Sequence, residues 1–241
     1  MATRQGATLP FARRAIPPLG TTWKFPDFGY PMSDSDQAGV GGYDLGYANC
    51  PCFWGTEAGS LVREVLAVNP NVSNLRVLDL GCGEGKNAVA FARRGASVVA
   101  VDCSAQALAN GKSAFPHDNI EWVQSDALEY LSDCSLFDVV IMYGLPHCMK
   151  SDSAIQKLIE LALEKTRQYG IHILVAFNDG PHDLSAHPNF RPTLVSHEIY
   201  LQCYSTSEIK KQSSSLLHET HPHNSIPHFH SVTRLLASKK T

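Results

Sequence analysis

The chain has no apolar run near the roughly 20 residues that span a bilayer, which argues against a membrane partner. It has no cluster of Lys and Arg either: 20 basic side chains stand against 23 acidic ones, for a formal charge of −3. Affinity for nucleic acid rests mainly on grouped basic residues, so a nucleic acid partner is not expected. The stretch Met1–Asp27 carries Arg4, Arg13 and Arg14 but no apolar core of the kind a secretory signal needs. The first 26 residues also lack any acid, as transit peptides do, but Pro17, Pro18 and Pro26 interrupt an amphipathic helix there. With no secretory signal, seven Cys, an odd number, read as free thiols in a reducing, cytoplasmic compartment. There are no internal repeats. The composition that is left, 44% hydrophobic over 241 residues, suits one globular domain with a substantial core and excludes collagen-like, coiled-coil and wholly disordered classes.

One residue type is in surplus. Eleven His are present, and their meaning depends on where the fold places them.

Residues 1–35 are rich in Pro, Gly, Ser and Thr without periodicity and read as a loose N-terminal extension, followed by a domain over 36–241. From about Gly55 the pattern becomes regular. Helices are expected over Glu57–Val68, Asn87–Arg94, Ser104–Ser113, Ala127–Leu131, Ala154–Tyr169 and Glu198–Tyr204. Strands are expected over Val77–Leu80, Ser97–Val101, Ile120–Gln124, Phe137–Tyr143 and Ile171–Phe177, with a closing pair at Glu208–Glu219 and Phe229–Ala237. Alternating strands and helices imply an α/β fold, a doubly wound, mostly parallel sheet, closed by an antiparallel strand.

The segment Val77-Leu-Asp-Leu-Gly-Cys-Gly-Glu-Gly85 is the strongest signal. A strand, a glycine-rich turn and a helix bring backbone amides close to a nucleotide-like ligand. The spacing Gly81-x-Gly83-x-Gly85 departs from the dinucleotide pattern, and Asp79 would repel a pyrophosphate while suiting a cationic amine. Asp102 ends the second strand, 21 positions after Gly81, where an acid can accept both ribose hydroxyls. Asp126, in Ser125-Asp126-Ala127, ends the third and could meet an exocyclic amine. Capping of strand ends is the alternative for Asp102 and Asp126, each taken alone.

These residues resemble the class I S-adenosylmethionine-dependent methyltransferases. The resemblance implies a single Rossmann-like, seven-stranded sheet whose last strand is antiparallel. It also implies S-adenosylmethionine as cofactor, S-adenosylhomocysteine as product, and a cofactor site at Asp79, Gly81, Cys82, Gly83, Asp102, Cys103, Asp126, Ala127, Tyr143 and Trp54. A narrower resemblance, to tellurite-resistance-type small methyltransferases, rests on Tyr47-x5-Phe53-Trp54-Gly55, Gly83-Glu-Gly-Lys-Asn87 and His228-Phe-His230-Ser-Val-Thr-Arg-Leu-Leu-Ala-Ser-Lys239. Tyr47 and Trp54 either close over the cofactor or pack the first helix.

Ligands in such sheets bind beyond the carboxyl ends of the parallel strands. That edge should hold His147 after the fourth strand, His182 and His187 after the fifth, and His221, His223, His228 and His230 around the last turn. Three readings stand for these histidines: solvated loop residues, a base or acceptor-binding groups, or a metal site in which His228-x-His230 projects two rings to one face. The spacing fits no established zinc signature, so a resident metal is not expected. Tyr143, His147, His182, His187, His228 and His230 are the candidate catalytic residues, with Asn178, Asp179 and Arg191 near the same cleft. Gly144-Leu-Pro-His147 stands where DNA amino-methyltransferases carry an acidic or amide residue, two prolines and an aromatic, a further argument against nucleic acid. The expected partner is a small-molecule acceptor, acting with a monomer or homodimer. Cys50-x-Cys52, with Cys148 or Cys203, opens a rival reading as a metalloid or thiol methyltransferase. Others are a cyclase or isomerase that uses the same pocket and a non-catalytic binding protein.

Overall fold

A computed structural model describes residues 43–187, 190–222 and 225–240. The extension expected over 1–35, the first residues of the domain expected from 36, and His223 lie outside the described residues.

The elements follow the chain as α1 (Asp44–Asn49), α2 (Ser60–Val68), β1 (Arg76–Leu80), α3 (Lys86–Ala92), β2 (Ser97–Asp102), α4 (Ala105–Ala114), β3 (Ile120–Gln124), α5 (Ala127–Asp133) and β4 (Phe137–Tyr143). A short 3-10 helix (Pro146–Cys148) leads into α6 (Asp152–Glu164), β5 (Thr166–His182), α7 (His197–Cys203), β6 (Ser207–Glu219) and β7 (His228–Lys239). The strands form one sheet in the order β3-β2-β1-β4-β5-β7-β6. β1 to β5 are paired in parallel, and β7 runs antiparallel to both β5 and β6. This is a Rossmann-like, seven-stranded sheet with the one reversed strand that the closing pair implied.

The central strands are apolar on both faces because helices cover both. Val77 with Val139 and Ile141 packs on the side of α2 and α3, against Leu61, Val62 and Phe91. Leu78 and Leu80 with Val140 and Met142 pack on the other side, against Ile155, Leu158 and Ile159 of α6. Side chains alternate across a strand, so each near-continuous apolar run supplies both layers. Ser104, Asp126, Ser151 and Ser196 accept hydrogen bonds from backbone N–H groups in the first turns of α4, α5, α6 and α7.

Three features differ from the sequence expectation. The helix expected to run to Tyr169 stops at Glu164, and Thr166 already belongs to β5. The Thr166 hydroxyl donates to Ala162 O (2.7 Å) and accepts from His172 Nε2 (2.6 Å), while Tyr204 OH donates to His172 Nδ1 (3.0 Å). That buried chain of bonds holds the end of α6, the start of β5 and the end of α7 together, and it overrides the helical periodicity. β5 also continues past Phe177 to His182, which pairs with His230, so His182 is a strand residue rather than a loop one. Finally, α1 appears where no helix was expected; its six residues, including Gly46, carry no usable periodicity.

Burial pushes His172 down to about 3, with Lys239 adding to the effect. Its folded-state value thus lies below the ordinary value near 6.5. The contribution of neutral His172 is intact above about pH 6.5 and is lost as the pH falls toward the folded-state value, because the unfolded chain takes up a proton the native chain refuses. Urea unfolding at pH 5 should therefore show about 2 kcal/mol less stability than at pH 7.5 from this residue. His172→Gln should have a shallower pH dependence; equal slopes for the two proteins would contradict this role.

Candidate active site

At the end of β1 the chain turns through Gly81, Gly83 and Gly85, whose φ angles are 64°, 53° and 79°. Gly85 has two reasons to lack a side chain: its left-handed backbone, and the Trp122 indole, which a Cβ there would strike. The turn is fixed to the end of β2. Cys82 N–H donates to Val101 O (3.0 Å), and Gly83 N–H donates to Asp102 Oδ2 (2.7 Å). Asp102 Oδ1 accepts from Ser104 N–H (2.9 Å). Both Asp102 oxygens keep lone pairs for a ligand. Burial raises the Asp102 pKa, against the lowering effect of these amides.

The helix that starts here holds a second segment over the turn. Glu84 is buried, and its two oxygens accept from Cys52 N–H (2.7 Å) and Phe53 N–H (2.6 Å). Asn110 Nδ2 adds a third bond to Glu84 (3.0 Å) and a fourth to Tyr47 O (2.8 Å). Lys86 Nζ donates to Trp54 O (2.8 Å), and Gly59 N–H donates to Asn87 Oδ1 (2.8 Å). Three neighbouring side chains of one motif thus fasten residues 52–59. The fastened segment presents Trp54, and α1 with its N-cap presents Tyr43 and Tyr47, to the space beyond the strand ends, with Trp54 Nε1 donating to Tyr47 OH (3.0 Å).

Between this segment and the strand ends lies a cavity of about 780 Å³. One end is walled by Gly81, Cys82, Gly83, Asp102, Cys103, Asp126 and Ala127. The other is walled by Tyr143, His147, His187 and Phe190, with Trp54 and Tyr43 above. Its length and apolar walls suit a nucleoside-sized ligand beside a second, smaller one.

His147 is the most constrained group at the second end. It stacks on Phe177, with ring centres 4.0 Å apart and planes 3° from parallel. Its Nδ1 accepts from Phe177 N–H (3.0 Å), so the neutral ring carries its proton on Nε2. Burial first, then His230, His182 and His187, pushes its pKa down to about 3. His147 therefore offers a hydrogen-bond donor at neutral pH and not a free base.

Residues 77–170 match a family model described as a methyltransferase domain. Solved structures agree with the fold. TehB from Haemophilus influenzae has 21% identity and a TM-score of 0.62, over 76% of this chain and 63% of its own length. The chain thus spans less than two thirds of that protein. Magnesium protoporphyrin IX methyltransferase (ChlM) from Synechocystis PCC 6803, solved with bound SAH, has 15% identity and a TM-score of 0.59, over 88% and 90% of the two chains. The Burkholderia thailandensis 1,6-didemethyltoxoflavin-N1-methyltransferase, solved with bound 1,6-didemethyltoxoflavin and S-adenosylhomocysteine, has 18% identity and a TM-score of 0.53, over 75% and 77% of the two chains. No curated protein matches the chain.

Nine of the ten expected cofactor residues wall the cavity: Trp54, Gly81, Cys82, Gly83, Asp102, Cys103, Asp126, Ala127 and Tyr143. The tenth, Asp79, does not. It is 1% exposed, with Oδ2 unpartnered among the described residues, and burial raises its pKa to about 7 against the pull of the Ala88 amide. Its place inside the strand, paired across to Ala100 and Ile141, keeps it behind the turn. Asp126 has two tasks available: Oδ1 caps α5 through Leu128 N–H (2.8 Å) and Glu129 N–H (3.2 Å), while the residue also faces the cavity.

Of the expected catalytic residues, Tyr143, His147 and His187 wall the cavity, whereas His182, His228 and His230 lie outside its lining. The sheet still joins them in one chain of rings: His182 to His230 (5.4 Å between ring centres), His230 to His228 (5.0 Å), and His228 to His187 (5.0 Å). Asn178 turns away from the cavity, donating to Ser214 Oγ (3.0 Å) and Thr233 Oγ1 (3.2 Å). Arg191 reaches the cavity. Cys50 and Cys52 lie outside its lining, and burial raises both thiol pKa values.

Sequence reasoning missed the fastening role of Glu84, Lys86 and Asn87, although the motif that carries them was visible. It also missed Tyr43 and Glu219 in the cavity wall, for which no pattern exists in the chain. Glu84→Ala should release the segment over the turn, since each bond from a backbone amide to a carboxylate contributes about 1.5–3 kcal/mol. Amide exchange at Cys52 and Phe53 should accelerate at least about tenfold while the Val77–Leu80 amides stay protected; unchanged exchange at Cys52 and Phe53 would refute the fastening.

Proposed function

We propose that the chain transfers a methyl group from S-adenosylmethionine to a small-molecule acceptor, releasing S-adenosylhomocysteine. The observation that carries this reading is Asp102. Its carboxylate is held by Gly83 N–H and Ser104 N–H at the end of β2, faces the cavity, and keeps lone pairs for two vicinal hydroxyls of a ribose. The methyltransferase domain match over 77–170 and the fold shared with enzymes solved with S-adenosylhomocysteine support it.

On this reading the cofactor lies along the glycine turn, with adenine toward Asp126 and Ala127 and the sulfonium toward Tyr143. Trp54 and Tyr47 cover the methionine end. The acceptor occupies the wall made by Tyr143, His147 and His187. Transfer is an in-line displacement: the acceptor's lone pair forms the new bond to the methyl carbon as the carbon–sulfur bond breaks and its electron pair returns to sulfur. The protein's main task is to align the two ligands and exclude water. His147, with Nε2–H facing out, orients an acceptor oxygen or anion.

A thiol or metalloid acceptor has one favourable observation, Cys148 in the cavity wall. Against it, Cys148 Sγ donates to Gly144 O (3.3 Å), and burial pushes its pKa up to about 12, which opposes the thiolate that capture requires.

Asp102→Ala should weaken S-adenosylhomocysteine binding by about 100-fold, the scale of two lost hydrogen bonds to a charged group. His147→Ala should leave that affinity within a few-fold and lower turnover instead. Calorimetry with the purified chain separates the two; an Asp102→Ala affinity equal to wild type would overturn the site.

A further inference from the structure

Behind the cavity wall, three histidines from different parts of the chain point one nitrogen each at a common centre. His187 follows β5, His221 follows β6, and His228 opens β7. Their Nε2 atoms are 3.1 Å apart for His187 and His221, 3.1 Å for His221 and His228, and 3.3 Å for His187 and His228. All three residues are buried.

Hydrogen bonds among the three Nε2 atoms cannot satisfy every edge of this triangle. An imidazole Nε2 carries either a proton or a lone pair, and a hydrogen bond needs one of each. Three mutually close nitrogens cannot all differ pairwise, so at least one edge sets proton against proton or lone pair against lone pair. His228 fixes its own choice: Nδ1 lies 2.7 Å from Ile226 O, which only accepts, so the neutral ring leaves Nε2 bare.

A fourth nitrogen is aimed at the same place. His182 Nε2 lies 2.7 Å from Asn178 O and so carries the proton; its Nδ1 must accept, and His230 Nδ1 donates to it across 3.2 Å. His230 Nε2 is then a lone pair. It is fully buried and has no hydrogen-bond partner among the described residues, and one His230 ring nitrogen lies within 4.8 Å of ligand nitrogens of His187 and His228. Glu219 Oε1 is 3.9 Å from both His228 Nε2 and His230 Nε2, which places a negative charge beside the cluster. The β6–β7 register, pairing Glu219 with His228 and Leu217 with His230, builds this half of the arrangement.

Nitrogens bound to tetrahedral zinc at 2.0–2.1 Å stand about 3.3–3.4 Å apart, close to the spacing of the triangle. We propose that His187, His221 and His228 bind one divalent transition-metal ion of the zinc class through Nε2, with His230 and Glu219 at its margin. An all-imidazole triangle selects zinc, cobalt, nickel or copper over magnesium and calcium, which take oxygen ligands. His187 and Glu219 also face the cavity, so the ion would stand in the wall of the acceptor end. Binding of the ion does not depend on the methyl-transfer reading.

The test is a titration of the chelator-stripped, full-length chain with Co2+ alone, followed by visible absorption, and then with Zn2+ as competitor. One equivalent of Co2+ should bind with the d–d bands of a four- or five-coordinate ion, and one equivalent of Zn2+ should remove them. His221→Asn and His228→Asn should each weaken binding by about 100-fold or more with unchanged far-ultraviolet circular dichroism. His182→Gln, which touches no proposed ligand except through His230, should weaken it less. If His228→Asn fails to fold, His221→Asn, in the turn beyond β6, carries the test. Absence of stoichiometric binding by the wild-type chain, or wild-type affinity in a folded His221→Asn variant, would overturn the site. Calorimetry of the stripped protein with S-adenosylhomocysteine reads the cofactor site separately, so failure of either proposal leaves the other standing.

Discussion

The carboxylate of Glu84 joins the two walls of the cavity. It sits in the glycine turn that the first strand delivers, and its two oxygens take the amides of Cys52 and Phe53 from the segment that lies over that turn. A buried carboxylate needs such donors, because an unpaired charge away from water is costly. The cost works in both directions. The segment cannot leave without stripping Glu84 of the Cys52 and Phe53 amides, and those two amides lose their acceptor if Glu84 is removed. Lys86 and Asn87 repeat the arrangement on Trp54 O and Gly59 N–H. Trp54 is therefore placed by a polar bond from the turn it covers, Tyr47 by Asn110 and Trp54, and Tyr43 by ring contacts with Phe53 and Trp54.

The far end of the cavity obeys a different constraint, the directionality of histidine hydrogen bonds in a dry environment. Backbone groups fix the tautomers: Phe177 N–H sets His147, Asn178 O sets His182, and Ile226 O sets His228. Low dielectric keeps His147 and His230 neutral, both pushed down to about 3 with burial as the main cause. Neutral rings with assigned protons can donate, accept or ligate at fixed atoms. His147, in the cavity wall, thus keeps its proton on Nε2, while His228 and His230 keep bare Nε2 nitrogens.

Much of the fold was legible because a doubly wound sheet writes itself as short apolar runs ended by glycine or acid. Ile120–Gln124 and Phe137–Tyr143 begin and end where the pattern placed them. What the pattern missed has a local cause in each case. The end of α6 is decided by the Thr166–His172–Tyr204 bonds, which join residues 38 positions apart and leave no trace in periodicity. The extension of β5 to His182 depends on pairing with His230, again a contact distant in sequence. At the site, the glycine turn and Asp102 were legible because backbone geometry demands those residue types at that spacing. Asp79 belongs to the same motif, yet strand pleating turns it behind the turn. Topology led to the expectation of seven histidines beyond the strand ends, of which His147 and His187 wall the cavity; the convergence of His187, His221 and His228 is a property of two loops and a strand register. Spacing along the chain could not supply it.

The central claim is that one cavity, floored by the glycine turn and roofed by the segment Glu84 holds, takes S-adenosylmethionine. Hydrogen exchange with and without saturating S-adenosylhomocysteine tests it most directly, because floor and roof are read in one experiment. The account predicts added protection at Gly81–Gly85 and at Asp102–Cys103 together with residues 43–54. Protection confined to other surfaces, or none at all, would contradict it.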